Sequence, residues 1–267
     1  MDLINAIKLR KSVRTFDGTP LNSSQKQILT EAFSNVKSPF GPLPTIKLER
    51  FNISGPTKPG TYGVISGASD YLLMAMEDSD MAYLSAGYVM EEVVLRATEI
   101  SLGTCWIAGT FRDSTFGTFT WPDNQSLKIV IPVGTPSVKS SLFNKMARTL
   151  LASDKRKPFS TLFFNGSFDS PAQPDSTGFR LSLELLRLAP SSTNSQPWRA
   201  VAIGNTIHFY ISKTKRLLFL DLGIALRHFT IGEAHQNFEG KFFSTGDHPQ
   251  SGDRHYVVSY TRTDNKK

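Results

Sequence analysis

The fold of this chain is best inferred from one stretch, Ala189-Pro190-Ser191-Ser192-Thr193-Asn194-Ser195-Gln196-Pro197-Trp198. It has four hydroxyl and two carboxamide side chains and no charge. Such groups donate and accept hydrogen bonds without a counter-ion, so they suit a flat neutral ligand that has ring nitrogens, carbonyls and hydroxyls. The two prolines restrict the backbone, and we expect the loop to keep its shape before a ligand binds. Taken alone, the stretch is more often a plain connector between a helix and a strand.

The composition is that of an ordinary globular protein. The chain has 267 residues, of which 39% are hydrophobic and 20% charged, enough for one large domain or two modest ones. Its single cysteine, Cys105, excludes an internal disulfide and fits a reducing compartment. We therefore expect a cytoplasmic protein without a signal peptide or a membrane span, since no uncharged segment approaches about 18 residues. No metal is expected, because the histidines lack ligand spacing: His208, His228, His235, His248 and His255.

The net charge of +7 favours anionic ligands. One basic cluster, Arg10-Lys11-Ser12-Val13-Arg14, looks extended, so Arg10, Ser12 and Arg14 should share one face and Val13 the other. Two guanidinium groups beside a hydroxyl could hold a phosphate. The alternative, an exposed edge strand whose charges face water, is somewhat more common for such a stretch alone.

Hydrophobic periodicity and turn residues predict helices and strands in alternation. Helices are expected over residues 2–9, after Asn22, over 80–102 (buried, with Gly103 as its C-cap), over 176–188 and over 221–239. Strands are expected over residues 46–53, 71–75, 129–134 and 256–260, with an extended stretch over 159–168. Gly204-Asn205 predicts a tight hairpin between strands 198–203 and 206–211.

The two halves of the chain repeat one pattern. A helix, a proline-rich loop and a strand occur over residues 25–53 and again over 177–203. Ser85-Ala86-Gly87 and Asp221-Leu222-Gly223 each open a long helix. This self-similarity predicts two copies of one unit, a first unit over residues 1–168 and a shorter second unit over 169–267.

At several points the chain resembles the FMN-dependent nitroreductase family. Arg10-Lys11-Ser12-Val13-Arg14, with Phe16 after it, is similar to the opening of that family. Three later stretches are similar to family landmarks in the same order: Leu102 to Gly109, Val133 to Pro136, and Lys155-Arg156-Lys157-Pro158. The loop at 189–198 resembles the family's best-known loop almost letter for letter, and the resemblance covers nearly the whole chain.

The order of these stretches departs from the family. Its members have the polar loop shortly after the first helix, where this chain has Ser38 to Pro44 without the polar side chains. They are homodimers that bind FMN at the subunit interface. The resemblance therefore implies an α+β, nitroreductase-like fold in which two tandem units form a pseudo-dimer around mixed or antiparallel sheets. It implies one complete FMN site, one degenerate site, and function as a monomer.

The resemblance also implies which residues bind the cofactor. Arg10 and Ser12 would hold the FMN phosphate with Arg156 and Lys155, and Lys11 would lie beside the phosphate or ribityl chain. Arg14 would reach the ribityl hydroxyls or the pyrimidine edge, and the backbone at Ala108 and Gly109 would face flavin N5 and O4. The second half would contribute the loop residues Pro190, Ser191, Ser192, Asn194 and Gln196.

The implied activity is hydride transfer from NADH or NADPH through flavin N5 to a quinone, a nitroaromatic or a similar small acceptor, with no catalytic protein side chain. One alternative is a flavin carrier or sensor without turnover. Another is a nucleic-acid-binding module, which only the net charge supports. Since no basic stripe with interleaved aromatics is present, no nucleic-acid partner is expected.

Overall fold

Two five-stranded sheets flank a pair of long helices in the computed structural model, which describes residues 2–52, 60–109, 111–116, 119–138, 155–250 and 252–263. The helices are α1 (Leu3–Leu9), α2 (Ser23–Asn35), α3 (Asp80–Glu99), α4 (Asp113–Phe116), α5 (Phe159–Leu162), α6 (Arg180–Arg187) and α7 (Arg216–His235). Short 3-10 turns cover Pro174–Ser176 and Ser192–Asn194.

The first sheet has β1 (Thr45–Arg50), β2 (Asp70–Met76), β3 (Gly103–Thr104), β4 (Ile107–Ala108) and β5 (Ser126–Gly134). The second has β6 (Phe163–Asn165), β7 (Trp198–Ile203), β8 (Thr206–Ile211), β9 (Gly240–Phe243) and β10 (His255–Arg262). Their orders are β1-β2-β5-β3, with β4 also on β5, and β6-β7-β8-β10-β9. Among these pairs only β6–β7 is parallel, so the prediction of an α+β fold with mixed or antiparallel sheets is confirmed.

The two sheets repeat one topology. Along the chain α2-β1-β2-α3-β3-β5 matches α6-β7-β8-α7-β9-β10, and the strand order in space is the same in both sets. The additional strand β6 precedes residue 168 but pairs with β7 of the second sheet. A division of the sequence at residue 168 therefore separates β6 from the sheet to which it belongs.

Several predicted boundaries match the structure and others do not. The hairpin of β7 and β8 has the predicted bounds, and Gly204 takes the positive φ of 56° that its turn needs. The buried helix α3 ends at Glu99 with Ile100 as its C-cap, so the prediction that Gly103 caps it was wrong. Gly103 instead pairs with Gly134 in the sheet. The extended stretch predicted over 159–168 begins as the helical turn α5.

The α7 helix begins at Arg216, five residues before the predicted start at Asp221. The apolar residues Leu217, Leu220 and Ile224 continue one helical face, so the periodic pattern already includes the first turn. The predicted start was therefore wrong. Asp221 lies within the helix rather than at its N-cap.

The α3 and α7 helices cross in close contact at two glycines. A Cβ on Gly87 would overlap the carbonyl oxygen of Leu220, and a Cβ on Gly223 would overlap that of Leu84. The two contacts are equivalent, because positions 87 and 223 and positions 84 and 220 are each 136 residues apart. The crossing thus has the approximate twofold symmetry of a dimer within one chain.

Two hydrogen-bonded pairs of an acidic and a basic side chain follow the same symmetry. Glu91 Oε1 lies 2.8 Å from His228 Nε2, and Glu92 Oε2 lies 2.6 Å from an Arg227 guanidinium nitrogen. The same offset of 136 residues relates Glu91 to Arg227 and Glu92 to His228. His228 Nδ1 faces the carbonyl oxygen of Leu185 at 3.0 Å and must therefore donate, so one proton is shared between Nε2 and Glu91. Both acids are on α3 and both bases on α7.

We expect Gly87→Ala to lower the stability of the protein, because the added methyl group would meet helix backbone that cannot rotate away. Overpacking of this kind typically costs about 1–3 kcal/mol. The urea midpoint of unfolding measures this loss, and Gly223→Ala should lower it similarly. Gly246→Ala is the matched control, since a Cβ there meets nothing within 4 Å. An unchanged midpoint for Gly87→Ala would contradict the close helix approach.

Candidate cofactor-binding site

A cavity of about 570 Å³ lies where the two units meet. Its wall combines the segment after α1, strand β4, one face of α7 and the loop after α6. Ten of the residues predicted to bind a cofactor lie in this wall: Arg10, Lys11, Ser12, Arg14, Ala108, Arg156, Pro190, Ser191, Ser192 and Asn194.

The N-terminal segment is extended, as predicted. The Val13 N–H donates to the carbonyl oxygen of Thr104 at 2.8 Å, and the Phe16 N–H donates to that of Ser66 at 2.9 Å. This docking directs Arg10, Ser12 and Arg14 to the cavity wall, while Val13 packs against the apolar cluster around Phe16 and Leu73. The alternation predicted from the sequence is confirmed, and the alternative of charges facing only water is not.

Arg10 is a desolvated cation in the cavity wall. Burial lowers the pKa of its guanidinium, and this effect is partly offset by Glu91 and Cys105. Its Nε atom is shielded from solvent and has no hydrogen-bond acceptor among the described residues. A bound anion would compensate for this missing contact, because charge-assisted bonds to guanidinium groups are among the strong ones.

Arg156 holds the residue after α6 and the polar loop together. One of its terminal nitrogens donates to the carbonyl oxygen of Leu188 at 3.0 Å and the other to Asn194 Oδ1 at 3.3 Å. Since Arg10 and Arg156 line one cavity, cations from two distant parts of the sequence face the same space.

The polar loop has a tightly held backbone. Thr193, Asn194 and Gln196 have positive φ angles of 51°, 54° and 47°, a conformation that is uncommon outside glycine and unusual for a β-branched residue. Such angles persist only where the surroundings impose them, and they cluster at binding sites. Here the Gln196 N–H donates to Ser191 Oγ at 2.9 Å, which closes the loop on itself.

Three predicted residues lie outside the cavity wall. The buried Gln196 side chain accepts from the Lys157 N–H at 2.8 Å and donates to the Asn194 carbonyl at 3.2 Å, so its amide holds the loop rather than facing the cavity. The Lys155 side chain is exposed, and its carbonyl accepts from Asn194 Nδ2 at 2.8 Å. Gly109 follows the end of β4, with a φ of 73°. These three residues do not line the cavity, and their contact with a cofactor stays a prediction.

The contribution of α7 to the cavity wall was not predicted from the sequence. One face of this helix lines the cavity with Leu217, Leu220, Asp221 and Ile224. Their spacing of three, four and seven residues is the signal that could have identified this face. Asp221 accepts the Ser192 N–H at 3.0 Å on Oδ1 and 3.2 Å on Oδ2, and burial raises the pKa of Asp221 to about 7.

Two further residues complete the wall near β4. Trp106 Nε1 donates to Glu91 Oε2 at 3.2 Å, so the helix crossing fixes the indole that borders the cavity. Cys105 is buried, as predicted, and burial raises the pKa of its thiol. Its neighbours Arg14, Arg10 and Ser12 act in the opposite direction.

The equivalent place in the other half is filled by aromatic rings. The loop over residues 38–44 carries Phe40, which is 5% exposed. Its ring packs edge-on against Tyr88 at 5.4 Å and Phe242 at 4.8 Å between centroids. Tyr88 is the counterpart of Ile224 under the 136-residue offset, and Ile224 lines the open cavity. Phe40 therefore occupies the space that corresponds to the cavity.

Neither a metal site nor a membrane span is found in the parts of the chain that the structure describes. No three His, Cys, Asp or Glu side chains come close enough there to hold a metal ion. No helix in the described ranges combines the length and the apolar character needed to cross a bilayer.

Comparison with protein families assigns the chain to one family. Residues 2–233 match the family described as "Putative TM nitroreductase", and the chain belongs to this family. This confirms the resemblance to nitroreductases that the motifs indicated. No curated protein matches the sequence significantly.

Solved structures agree on the fold. A protein of Thermotoga maritima described as a "putative nitroreductase" superposes with a TM-score of 0.62 at 20% identity, over 98% of this chain and 93% of that one. At this identity the likeness establishes the fold alone. A nitroreductase from Bacteroides fragilis with bound FMN matches 53% of this chain and 92% of its own at 15% identity, and its TM-score of 0.42 is too low for any inference.

Gln196→Ala should loosen the loop, because it leaves the Lys157 N–H and the Asn194 carbonyl without their side-chain partner. Each unsatisfied buried group typically costs about 1–3 kcal/mol. We expect amide hydrogen exchange over residues 191–196 to accelerate at least about tenfold, with exchange in β8 unchanged. Gln27→Ala, on the exposed face of α2, is the control. Equal exchange in both variants would rule out a structural role for Gln196.

Proposed function

We propose that this protein is an FMN-dependent oxidoreductase of nitroreductase type, which passes a hydride from NADH or NADPH to a quinone, a nitroaromatic or a similar small acceptor. Its family membership and its fold support this proposal. The single observation that carries the proposal is the convergence of Arg10, Ser12, Arg14 and Arg156 on one cavity beside the polar loop.

These residues fit the phosphate end of FMN. Guanidinium groups bind phosphate with forked, charge-assisted hydrogen bonds, and a hydroxyl adds a neutral donor. The shielded Arg10 Nε, which has no acceptor among the described residues, fits an anion at this end of the cavity. Lys8 and Lys11 in the same wall add positive charge. Arg10, Ser12 and Arg156 would hold the phosphate.

The rest of the cavity fits a flat polar ring system. The loop from Pro190 to Asn194 offers hydroxyl and amide groups along one side, and Ala108 with Trp106 forms another. Three backbone angles in the left-handed region fix the loop, so little ordering entropy would be lost when a ligand binds. Bound FMN would supply the hydride chemistry.

The described residues would control that chemistry by position and charge. Arg14 would stabilise negative charge that develops on the ring system during reduction. Leu217, Leu220 and Ile224 would exclude water from the adjacent space, where a nicotinamide and then an acceptor would bind in turn. We propose no protein nucleophile.

One chain would form one complete site. We propose that residues 1–168 supply the phosphate-binding segment and residues 169–267 the polar loop, so that a monomer suffices. The aromatic filling around Phe40 supports a single FMN per chain.

We expect FMN to bind with a stoichiometry of one per chain, measured by quenching of flavin fluorescence. Arg10→Ala should weaken binding roughly 10- to 100-fold, since a charge-assisted hydrogen bond contributes about 1.5–3 kcal/mol. Arg180→Ala, at an exposed ion pair with Asp175, is the matched control. Two FMN molecules per chain, or equal affinity for the two variants, would contradict the proposed site.

NADH or NADPH should bleach the yellow colour of the FMN-loaded protein under anaerobic conditions, and a naphthoquinone or a nitroaromatic compound should restore it. Absorbance near the visible flavin band follows both steps. A protein that binds FMN but is not reduced by either nicotinamide would instead be a flavin carrier or sensor.

A further inference from the structure

Asp221 is an acid placed in an apolar part of the cavity wall. It lies on the α7 face that also bears Leu217, Leu220 and Ile224, and it is 3% exposed. The nearest groups on its own helix face are thus aliphatic. Carboxyl groups with such surroundings keep a proton more readily than exposed ones, because burial penalises the charged form.

No cation compensates for the Asp221 carboxyl among the described residues. The Ser192 N–H donates a hydrogen bond to this carboxyl group. Burial raises the pKa of Asp221, and the hydrogen bond lowers it by a smaller amount, so that the pKa is about 7. Other charged and titratable groups near Asp221 occupy two places. At the start of α7, Arg216 pairs with Asp78 at 3.2 Å, and the remaining groups lie elsewhere in the cavity wall. Those in the wall are Lys8, Arg10, Lys11, Arg14, Cys105 and Arg156.

The equivalent position in the other half lacks an acid. Ser85 is the counterpart of Asp221 at the offset of 136 residues and lies beside Tyr88, where aromatic rings fill the space. Its buried hydroxyl has no hydrogen-bond partner in the described part of the chain. At these two equivalent positions, the carboxyl group lies in the half with the open cavity and a hydroxyl lies in the half that is filled.

We propose that Asp221 is the proton donor of this site, supplying the proton that accompanies hydride transfer to the acceptor. This inference rests on the proposed function and extends it. A quinone or a nitro group that receives a hydride also needs a proton on oxygen, and an acid with a pKa near the working pH suits that transfer.

A quinone acceptor would take up a hydride, with its two electrons, through the chemistry that bound FMN would supply, and would form one new O–H bond. The O–H bond of the Asp221 carboxyl breaks, its proton goes to a quinone oxygen, and the acceptor becomes a hydroquinone. Asp221 remains as a carboxylate and regains a proton from water before the next cycle.

The alternative role for Asp221 is purely structural, as the group that holds the Ser192 N–H. Asp221→Asn distinguishes the two roles, because the amide oxygen can still accept this hydrogen bond but the side chain cannot transfer a proton at neutral pH. Asp221→Ser, which copies the residue of the filled half, is a second variant in case the first folds poorly.

The kinetic test reduces the FMN-loaded protein and follows its reoxidation by two acceptors. A naphthoquinone needs a proton, whereas ferricyanide takes one electron at a time and needs none. We expect Asp221→Asn to slow reoxidation by the naphthoquinone about 100-fold or more and to leave the ferricyanide rate within about twofold. Asp175→Asn, at the exposed pair with Arg180, should change neither rate.

The wild-type protein provides a further test that needs no variant. The Asp221 carboxyl is protonated below a pKa of about 7 and charged above it. The naphthoquinone rate should therefore fall as the pH rises through 7, while the ferricyanide rate should not. A flat profile with the naphthoquinone would overturn the inference.

Binding of FMN gives a readout without turnover. Above pH 7 the Asp221 carboxylate would repel the anionic ligand, so the affinity of the wild-type protein should fall several-fold between pH 6 and pH 8. Asp221→Asn should keep the larger affinity for FMN across this range. Titration of the FMN phosphate should change the affinity of both proteins equally. Identical profiles would contradict the placement of the carboxyl beside the ligand.

The possible outcomes distinguish failure of the proposed function from failure of the Asp221 inference alone. A wild-type protein that binds no FMN overturns the proposed function and this inference with it. A protein that is reduced and reoxidised normally, with Asp221→Asn equally fast toward the naphthoquinone, overturns the inference alone. Equal slowing with both acceptors would assign Asp221 to structure and would also overturn it.

Discussion

The close crossing of α3 and α7 is the contact on which the rest of the structure depends. Two glycines let the helix backbones meet, and two hydrogen-bonded acid–base pairs related by the same 136-residue offset fix their register. The Glu91–His228 pair is fully buried, and removing one partner would leave the other without its hydrogen bond, which typically costs about 1–3 kcal/mol. Because each helix packs against its own sheet, this crossing also sets the position of one unit relative to the other.

The cavity follows from that arrangement. The first turns of α7, from Leu217 to Ile224, line the cavity together with Trp106, whose indole is held by Glu91 of the crossing itself. The α6 helix then delivers the loop of Pro190 to Asn194 to the same place, opposite the segment of Arg10 to Arg14. In the other half, aromatic packing around Phe40 replaces the ligand space. The two halves share one topology but differ at this place, which is open in one half and filled in the other.

Local sequence patterns predicted much of the fold and part of the cavity wall. Gly204-Asn205 fixed the hairpin to the residue, and alternation placed Arg10, Ser12 and Arg14 on one face, because turn chemistry and strand pleating act over neighbouring residues. Side-chain orientations that depend on packing between distant residues were not predicted. Gln196 has the same amide as a ligand-binding residue, yet contacts with Lys157 and Asn194 turn it into the loop. The position of Asp221 in the cavity wall depends on which face of α7 meets the cavity, and this face is set by the packing of α7 against distant residues.

The central claim is that segments from the two units form one FMN site at the helix crossing. A crystal structure of the full chain grown with FMN tests it most directly. The account predicts difference density for one FMN per chain, with its phosphate beside Arg10 and Ser12 and its ring system against the loop of Ser191 to Asn194. Density for FMN beside Phe40, or at a surface away from the crossing, would contradict the account.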